Sequence, residues 1–355
     1  MTAKAGPQKI GINGLGRIGR AVLRIALQKE GVEIVAINDI NPDVGNLAYL
    51  IKYDSTYGRL PHSVTTEGDR IVIGNEKKIA VYRQENIDEV PWEKSGAEIV
   101  IDASGVSKNL QRGARLKQKG VRHCVVTNSP PEDQVDRTII LGANHEELDV
   151  KRDFLISSSI CDANAFAPVV RLLDRHFGIE HGFLTTLHPW LNYQNVLDGP
   201  SISYATPGQI HDHYALGRAS TTSLIPKTTS AVNATCKALK KMKGKFLSMS
   251  YRVPTMIVSS ADISVQLTEK CDAVKVREIF EVAERDQSWK IFYNNKEALV
   301  SADFTGSEYS AVVDHRWIMM NDQNYLKMIL WYDNEWGYSS RVIDLIHLLQ
   351  ARGVE

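Results

Sequence analysis

The chain has 355 residues, more than one hydrophobic core comfortably serves, so two domains are expected. At 43% apolar and 24% charged residues its composition is that of an ordinary water-soluble globular protein. Lys plus Arg and Asp plus Glu both number 42, so the net charge is zero and there is no electrostatic case for nucleic acid or an acidic membrane surface as a partner.

The opening "MTAKAGPQK" has no apolar signal core, and no later run is long enough to span a bilayer. "KIGINGLGRIGRAVLRIALQKEGVEIVAINDI" then reads as strand, glycine-rich turn, helix and strand, with Ile18, Val22, Ile25 and Ala26 on one helix face. The later runs "IAVYR", "AEIVIDASG" and "RHCVVTN" are spaced by polar or helical segments, as a twisted and mostly parallel sheet requires. Near residue 157 the texture changes. After the striped helix "DANAFAPVVRLLDRHFG", longer alternating runs such as "SYRVPTMIVSSADISVQL" and "YLKMILWYD" predict a larger, mainly antiparallel sheet. The final "SSRVIDLIHLLQARG" is an amphipathic helix with Val342, Leu345, Ile346 and Leu349 on one side, and it needs a surface to cover.

Gly14, Gly16 and Gly19 form G-x-G-x-x-G between a strand and a helix. There the pattern has a mechanism: a tight turn, close backbone approach to a pyrophosphate, and close helix-sheet packing. Asp39 ends the second strand about 20 residues on, where a carboxylate accepts from ribose hydroxyls and repels the additional phosphate of NADP. NAD is therefore the expected cofactor. A glycine-rich turn without a ligand is the bland alternative. Ser104 and Gly105, in "IDASGVS", fall where a second loop at the carboxyl edge of the sheet would cover the cofactor.

Four cysteines, Cys124, Cys161, Cys236 and Cys271, show no paired spacing. That argues against a disulfide framework or a zinc site and for a reducing compartment, the cytoplasm. No metal is expected; His211 and His213 stand at alternate positions without a third ligand nearby. Cys161 opens a predicted helix, whose first-turn amides favour a thiolate. His188, at the end of the next predicted strand in "TTLHPW", is the natural base. Taken singly, a cysteine is commonly a small buried apolar residue.

Taken together and in order, "KIGINGLGRIGR", "INDI", "ICDANAFAP", "VLDGPS", "RVPT" and "WYDNEWGYSSRV" resemble glyceraldehyde-3-phosphate dehydrogenase and the related erythrose-4-phosphate dehydrogenase over nearly the whole chain. The resemblance implies an α/β architecture: a Rossmann NAD-binding domain (1–156), a catalytic α+β domain with an eight- or nine-stranded mixed sheet (157–332), and a last helix (333–355) returning to the first domain. It implies a homotetramer that oxidises a small aldehyde with NAD through a cysteine thiohemiacetal and thioester. The acyl group then passes to phosphate, as in the family, or to water; a non-catalytic NAD-holding descendant is the rival. Cys161 falls on the family nucleophile, His188 on its histidine and Asn334 on the asparagine that holds the nicotinamide amide. Gly14, Gly16, Arg17, Ile18 and Asp39 match the cofactor side. From the residues alone, Asn334 also reads as a turn-former.

The substrate side departs from the family pattern. Where S-C-T-T-N is usual, Ile160, Cys161, Asp162, Ala163 and Asn164 stand, and the residues expected to hold the substrate's own phosphate are Leu191, Tyr193 and Ala215. Thr229, Ser230 and Arg252 remain as candidate anion donors; Arg218 is the one further cation that could move in. A carboxylate at 162, ~6 Å from the sulfur in an effective dielectric of ~20, would oppose a thiolate by about 3 kcal/mol. Asp162 is thus expected either to pair with Lys227 or Arg252 in the substrate site, or to turn away as an early helix residue accepting from backbone amides. An aldehyde carrying a hydroxyl, amine or apolar group in place of a phosphate follows from these replacements.

Overall fold

The computed structural model describes residues 6–74, 77–202 and 213–353. It divides into two compact units. One contains the chain up to Thr138, Leu148–Ser158 and everything from Ser339 on; the other contains Ile139–Glu147 and Ser159–Tyr338.

In the first unit a nine-stranded sheet runs, edge to edge, Arg137–Thr138, Leu155–Ser157, His123–Val126, Ile99–Asp102, Gln8–Asn13, Val32–Asn38, Lys77–Tyr82, Arg70–Ile73 and Val64–Thr66. The first seven are parallel and the last two pairings antiparallel. The chain starts at the central strand Gln8–Asn13, builds to one side, then returns to build the other. That reversal opens a crevice at the carboxyl end of the central strand, directly ahead of the glycine-rich turn. Between the first two strands the helix Arg17–Ala26 buries Val22, Ile25 and Ala26, whereas Ile18 in its first turn stays partly exposed. Arg24 on this helix is 3% exposed, and its guanidinium donates to the carbonyls of Ile51 and Gly58.

The second unit holds a mixed eight-stranded sheet: Ile225–Lys227, Phe246–Val253, Ile179–Pro189, Ser259–Leu267, Tyr325–Tyr332, Ala311–Asp314 and Phe292–Asn295, with Met319–Asn321 also paired to Tyr325–Tyr332. Two pairings are parallel, Ile179–Pro189 with Phe246–Val253 and Phe292–Asn295 with Ala311–Asp314. The helix Cys161–Phe177 packs on this sheet, with Phe166 edge-on to Phe246. Its small residues Ala163 and Ala167 close against Ala234 and Ala238 of the neighbouring helix Ala231–Ala238. The last helix, Trp336–Gly353, buries Val342, Leu345, Ile346 and Leu349 and belongs to the first unit from Ser339 onward. There Arg352 donates to the Leu148 carbonyl (2.7 Å). Among the described residues no helix is long and apolar enough to cross a membrane.

Candidate active site

The glycine-rich loop of the first unit is set by backbone proximity. Gly14 has φ +88°, and a Cβ there would stand 2.6 Å from the Ser104 Cα; a Cβ on Gly19 would stand 2.0 Å from the Gly14 carbonyl oxygen. Neither position admits a side chain. At Gly16, by contrast, nothing lies within 4 Å of the would-be Cβ, so the loop leaves open space where the backbone of a dinucleotide would approach. Asp39 locks the loop, accepting from Leu15 N (2.7 Å) and Asn41 N (2.9 Å). Beneath it Asp102 accepts from Asn13 (2.9 Å) and from the Ser104 hydroxyl (2.6 Å), and Ser104 in turn accepts from Asn109 (2.9 Å). Burial raises the Asp102 pKa, and those donors pull it back. Gly105, at φ +70°, carries the chain on. Arg17 is engaged by Asp54 and lies over the Tyr57 ring.

In the second unit Cys161 is the first residue of the Cys161–Phe177 helix and is partly exposed. It follows Ile160 in extended conformation and Ser159 at φ +62°, whose carbonyl accepts from the Tyr338 hydroxyl (3.0 Å). The Sγ lies 3.7 Å from His188 Nε2. His188 Nδ1 is 2.8 Å from the Pro189 carbonyl, which can only accept; Nδ1 therefore carries the proton and Nε2 turns its lone pair to the sulfur.

One register row of the mixed sheet brings the partners together. Tyr332 pairs with Ser259; the adjacent Leu187–Ser260 pair sets His188 beside Ser259; and His188 pairs with Arg252, and Arg252 with Ile225. Paired residues project from the same face, so Tyr332, His188 and Arg252 stand side by side on it. Lys227, two residues from Ile225, shares the face. The Tyr332 hydroxyl donates to Asp162 Oδ1 (2.7 Å), and Oδ1 is also 3.6 Å from Cys161 Sγ. Among the described residues, Asp162 Oδ2 accepts only from the Thr229 hydroxyl, at 3.5 Å.

The charges follow from burial. His188, 5% exposed, is lowered to about 4, first by burial and then by the Arg252 charge, with Asp162 opposing. Cys161 is pushed well above its ordinary value by burial and by the Asp162 carboxylate; the Asp162 amide, donating to the sulfur, and Arg252 work the other way. Thiol and imidazole thus both rest neutral, the thiol donating to Asp162 Oδ1 (3.6 Å) with His188 Nε2 3.7 Å from the same sulfur. Burial also lowers Lys227 and raises Tyr332. The donor atoms of Cys161, Asp162 and His188 lie within 4.8 Å of one another, close enough for a soft dication, which the nearby Arg252 and Lys227 charges oppose.

The chain matches the NAD-binding domain of glyceraldehyde 3-phosphate dehydrogenase over residues 8–110 and the C-terminal domain of that enzyme over residues 160–334. It is 36% identical to the glyceraldehyde-3-phosphate dehydrogenase of Geobacillus stearothermophilus over 98% of this chain and 99% of that one. The Priestia megaterium enzyme gives the same figures, and glyceraldehyde-3-phosphate dehydrogenase 1 of Kluyveromyces lactis is 35% identical over 95% and 98%. The chain belongs to the glyceraldehyde-3-phosphate dehydrogenase family. It is accordingly an NAD-dependent aldehyde oxidoreductase with a Rossmann-type cofactor domain and a C-terminal catalytic domain.

On the substrate side the structure departs from the expected arrangement. The expected ion pair between Asp162 and Lys227 or Arg252 does not form: the carboxylate takes the Tyr332 hydroxyl instead, and Lys227 donates to the Thr228 carbonyl. Arg252 is committed by its register to the side of His188, and its Nε is buried without a partner. Asp162 does not turn away either, since its carboxylate faces the thiol. Thr229 joins the cluster through Asp162, while Ser230 is exposed. Arg218 is held on the surface by Asp198 (2.8 Å). Leu191 and Tyr193 are partly buried, and Ala215 is exposed. His211 lies outside the described residues. Asn334 is buried, with its Oδ1 lacking a partner, just past Asp333, which accepts from Glu335 N, Trp336 N and Gly306 N. Tyr332 is the residue that sequence reasoning missed; it stood in a matching motif, but nothing local marked it as a partner of residue 162.

Proposed function

We propose that the protein oxidises a small aldehyde by covalent catalysis at Cys161, with His188 as the proton acceptor. The observation that carries this is the 3.7 Å approach of His188 Nε2, lone pair forward, to the Cys161 sulfur. As the sulfur bonds to the aldehyde carbon, its proton passes to Nε2; the imidazolium so formed can donate to the developing oxyanion. The resting neutral pair makes thiolate formation coincide with substrate attack. NAD+, when bound, supplies the hydride acceptor that turns the thiohemiacetal into a thioester. Gly14, Gly16, Gly19, Ile18, Asp39, Ser104 and Gly105 would hold it, and the unpartnered Asn334 Oδ1 suits the donor of a carboxamide. With Arg17 committed to Asp54, its share in cofactor binding is indirect.

The substrate class we assign is an aldehyde without a phosphate at its far end. Leu191, Tyr193 and Ala215 offer no cation, and Arg218 is already paired. Assembly as a homotetramer and a cytoplasmic setting remain part of this reading, supported by the family. NADH formation should be measured with glyceraldehyde, glyceraldehyde 3-phosphate and erythrose 4-phosphate. Cys161→Ser should lose at least about 10³-fold in kcat/KM while binding NAD normally. A strong preference for glyceraldehyde 3-phosphate would overturn the substrate class, and an active Cys161→Ser variant would overturn the nucleophile.

A further inference from the structure

We propose that Asp162 is the general base that delivers water to the acylated Cys161, so that this enzyme releases a carboxylic acid rather than an acyl phosphate. The proposal rests on Cys161 being the nucleophile.

Four observations fit the carboxylate for that task. Oδ1 is 3.6 Å from the sulfur, so an acyl carbon bonded to that sulfur lies within the span of one bridging water. The Tyr332 hydroxyl, at 2.7 Å, occupies Oδ1 and fixes the carboxylate's orientation. Among the described residues Oδ2 keeps only the 3.5 Å contact with Thr229 and so has lone pairs to spare, although Asp162 is just 7% exposed. Neither Lys227 nor Arg252 closes an ion pair on it, which leaves its charge available as a base and as a deterrent to an attacking anion.

The step balances without any co-reactant beyond water. The water oxygen bonds to the thioester carbonyl carbon as one water proton moves to Asp162 Oδ2. The tetrahedral adduct then breaks its C–S bond, and the proton on Asp162 passes to the leaving sulfur. Carboxylic acid, thiol and carboxylate result. His188 is the alternative base, held with Nδ1 on the Pro189 carbonyl, and replacement of Asp162 leaves it in place.

The test uses p-nitrophenyl acetate, which acylates a thiol without NAD, on the full chain. Wild type should release p-nitrophenolate continuously, at a rate that inorganic phosphate leaves unchanged. Asp162→Asn should release one equivalent and then slow by about 10²-fold or more, with the acetyl group found on Cys161 by mass spectrometry. The same variant should react with iodoacetamide about 10-fold faster than wild type, because the negative charge beside the thiol is gone. Those opposite signs set a base apart from a scaffold, whose loss would depress both rates. Asp162→Thr should regain deacylation when phosphate is added.

Undiminished deacylation in Asp162→Asn, loss of both rates together, or formation of acetyl phosphate by wild type would each overturn the proposal. Failure of the underlying nucleophile reading looks different: wild type would carry no acetyl group on Cys161, and Cys161→Ser would release p-nitrophenolate as fast as wild type. The proposal would fall with it.

Discussion

In the glycine-rich loop of the first unit, position is fixed by main chain against main chain: Gly19 against the Gly14 carbonyl, Gly14 against Ser104. In the thiol cluster of the second unit, position is fixed by side chains that hold charge and protons: Tyr332 on Asp162, Pro189 on His188, Arg252 beside His188. The first arrangement tolerates no added atom at Gly14 or Gly19, with the Asp39 carboxylate tying the loop from the side. In the second, the charge of each member bears on the protonation of its neighbours, Asp162 on Cys161 and Arg252 on His188. On the function proposed above, geometry would guard the cofactor end and electrostatics the chemical end.

The largest effect should come from forcing an atom into the loop. Gly19→Ala places a Cβ 2.0 Å from a carbonyl oxygen, and NAD affinity should fall by about two orders of magnitude, measured by calorimetry, while Cys161 alkylation is unchanged. A modest loss would show that the loop is softer than the contrast requires.

Next comes His188→Gln, expected to lower kcat by about 10²-fold or more at unchanged NAD affinity. It carries a pH signature as well. His188 is neutral in the folded protein down to about pH 4, whereas an unfolded histidine protonates near 6.5. Its contribution to stability is therefore complete above pH ~6.5 and is lost as the pH falls from there toward 4. Wild type should lose more thermal stability than His188→Gln between pH 7 and 4.5; parallel melting curves would contradict the assignment.

The smallest effect is expected from Tyr332→Phe. It deletes the hydroxyl on Asp162 and should cost about 1–3 kcal/mol in a denaturant titration, with secondary structure intact. A neutral result would mean that water replaces the hydroxyl.

The two regions also differed in legibility. Gly14 through Asp39 is one strand-turn-helix-strand, so its logic lies along the chain and can be read from spacing. Cys161 and His188 were found through helix and strand ends and through the family resemblance. What could not be read was the row that joins them to Tyr332 and Arg252, because register between strands far apart in sequence has no local marker. Asp162 and Tyr332 are 170 positions apart. The expected ion pair fails for the same reason: charge marks Lys227 and Arg252 as partners of Asp162, whereas the sheet register sets Arg252 beside His188. Ile18 stayed partly exposed for a different reason, since the first helical turn borders the glycine-rich loop rather than the core.

Asp333 stands between Tyr332 and Asn334 and receives three amide hydrogens through its carboxylate. A stretch pinned so firmly has no slack, and neither neighbour can be retuned by sliding the backbone. Change around the thiol therefore has more room at the start of the cysteine helix, where Asp162 stands against Tyr332.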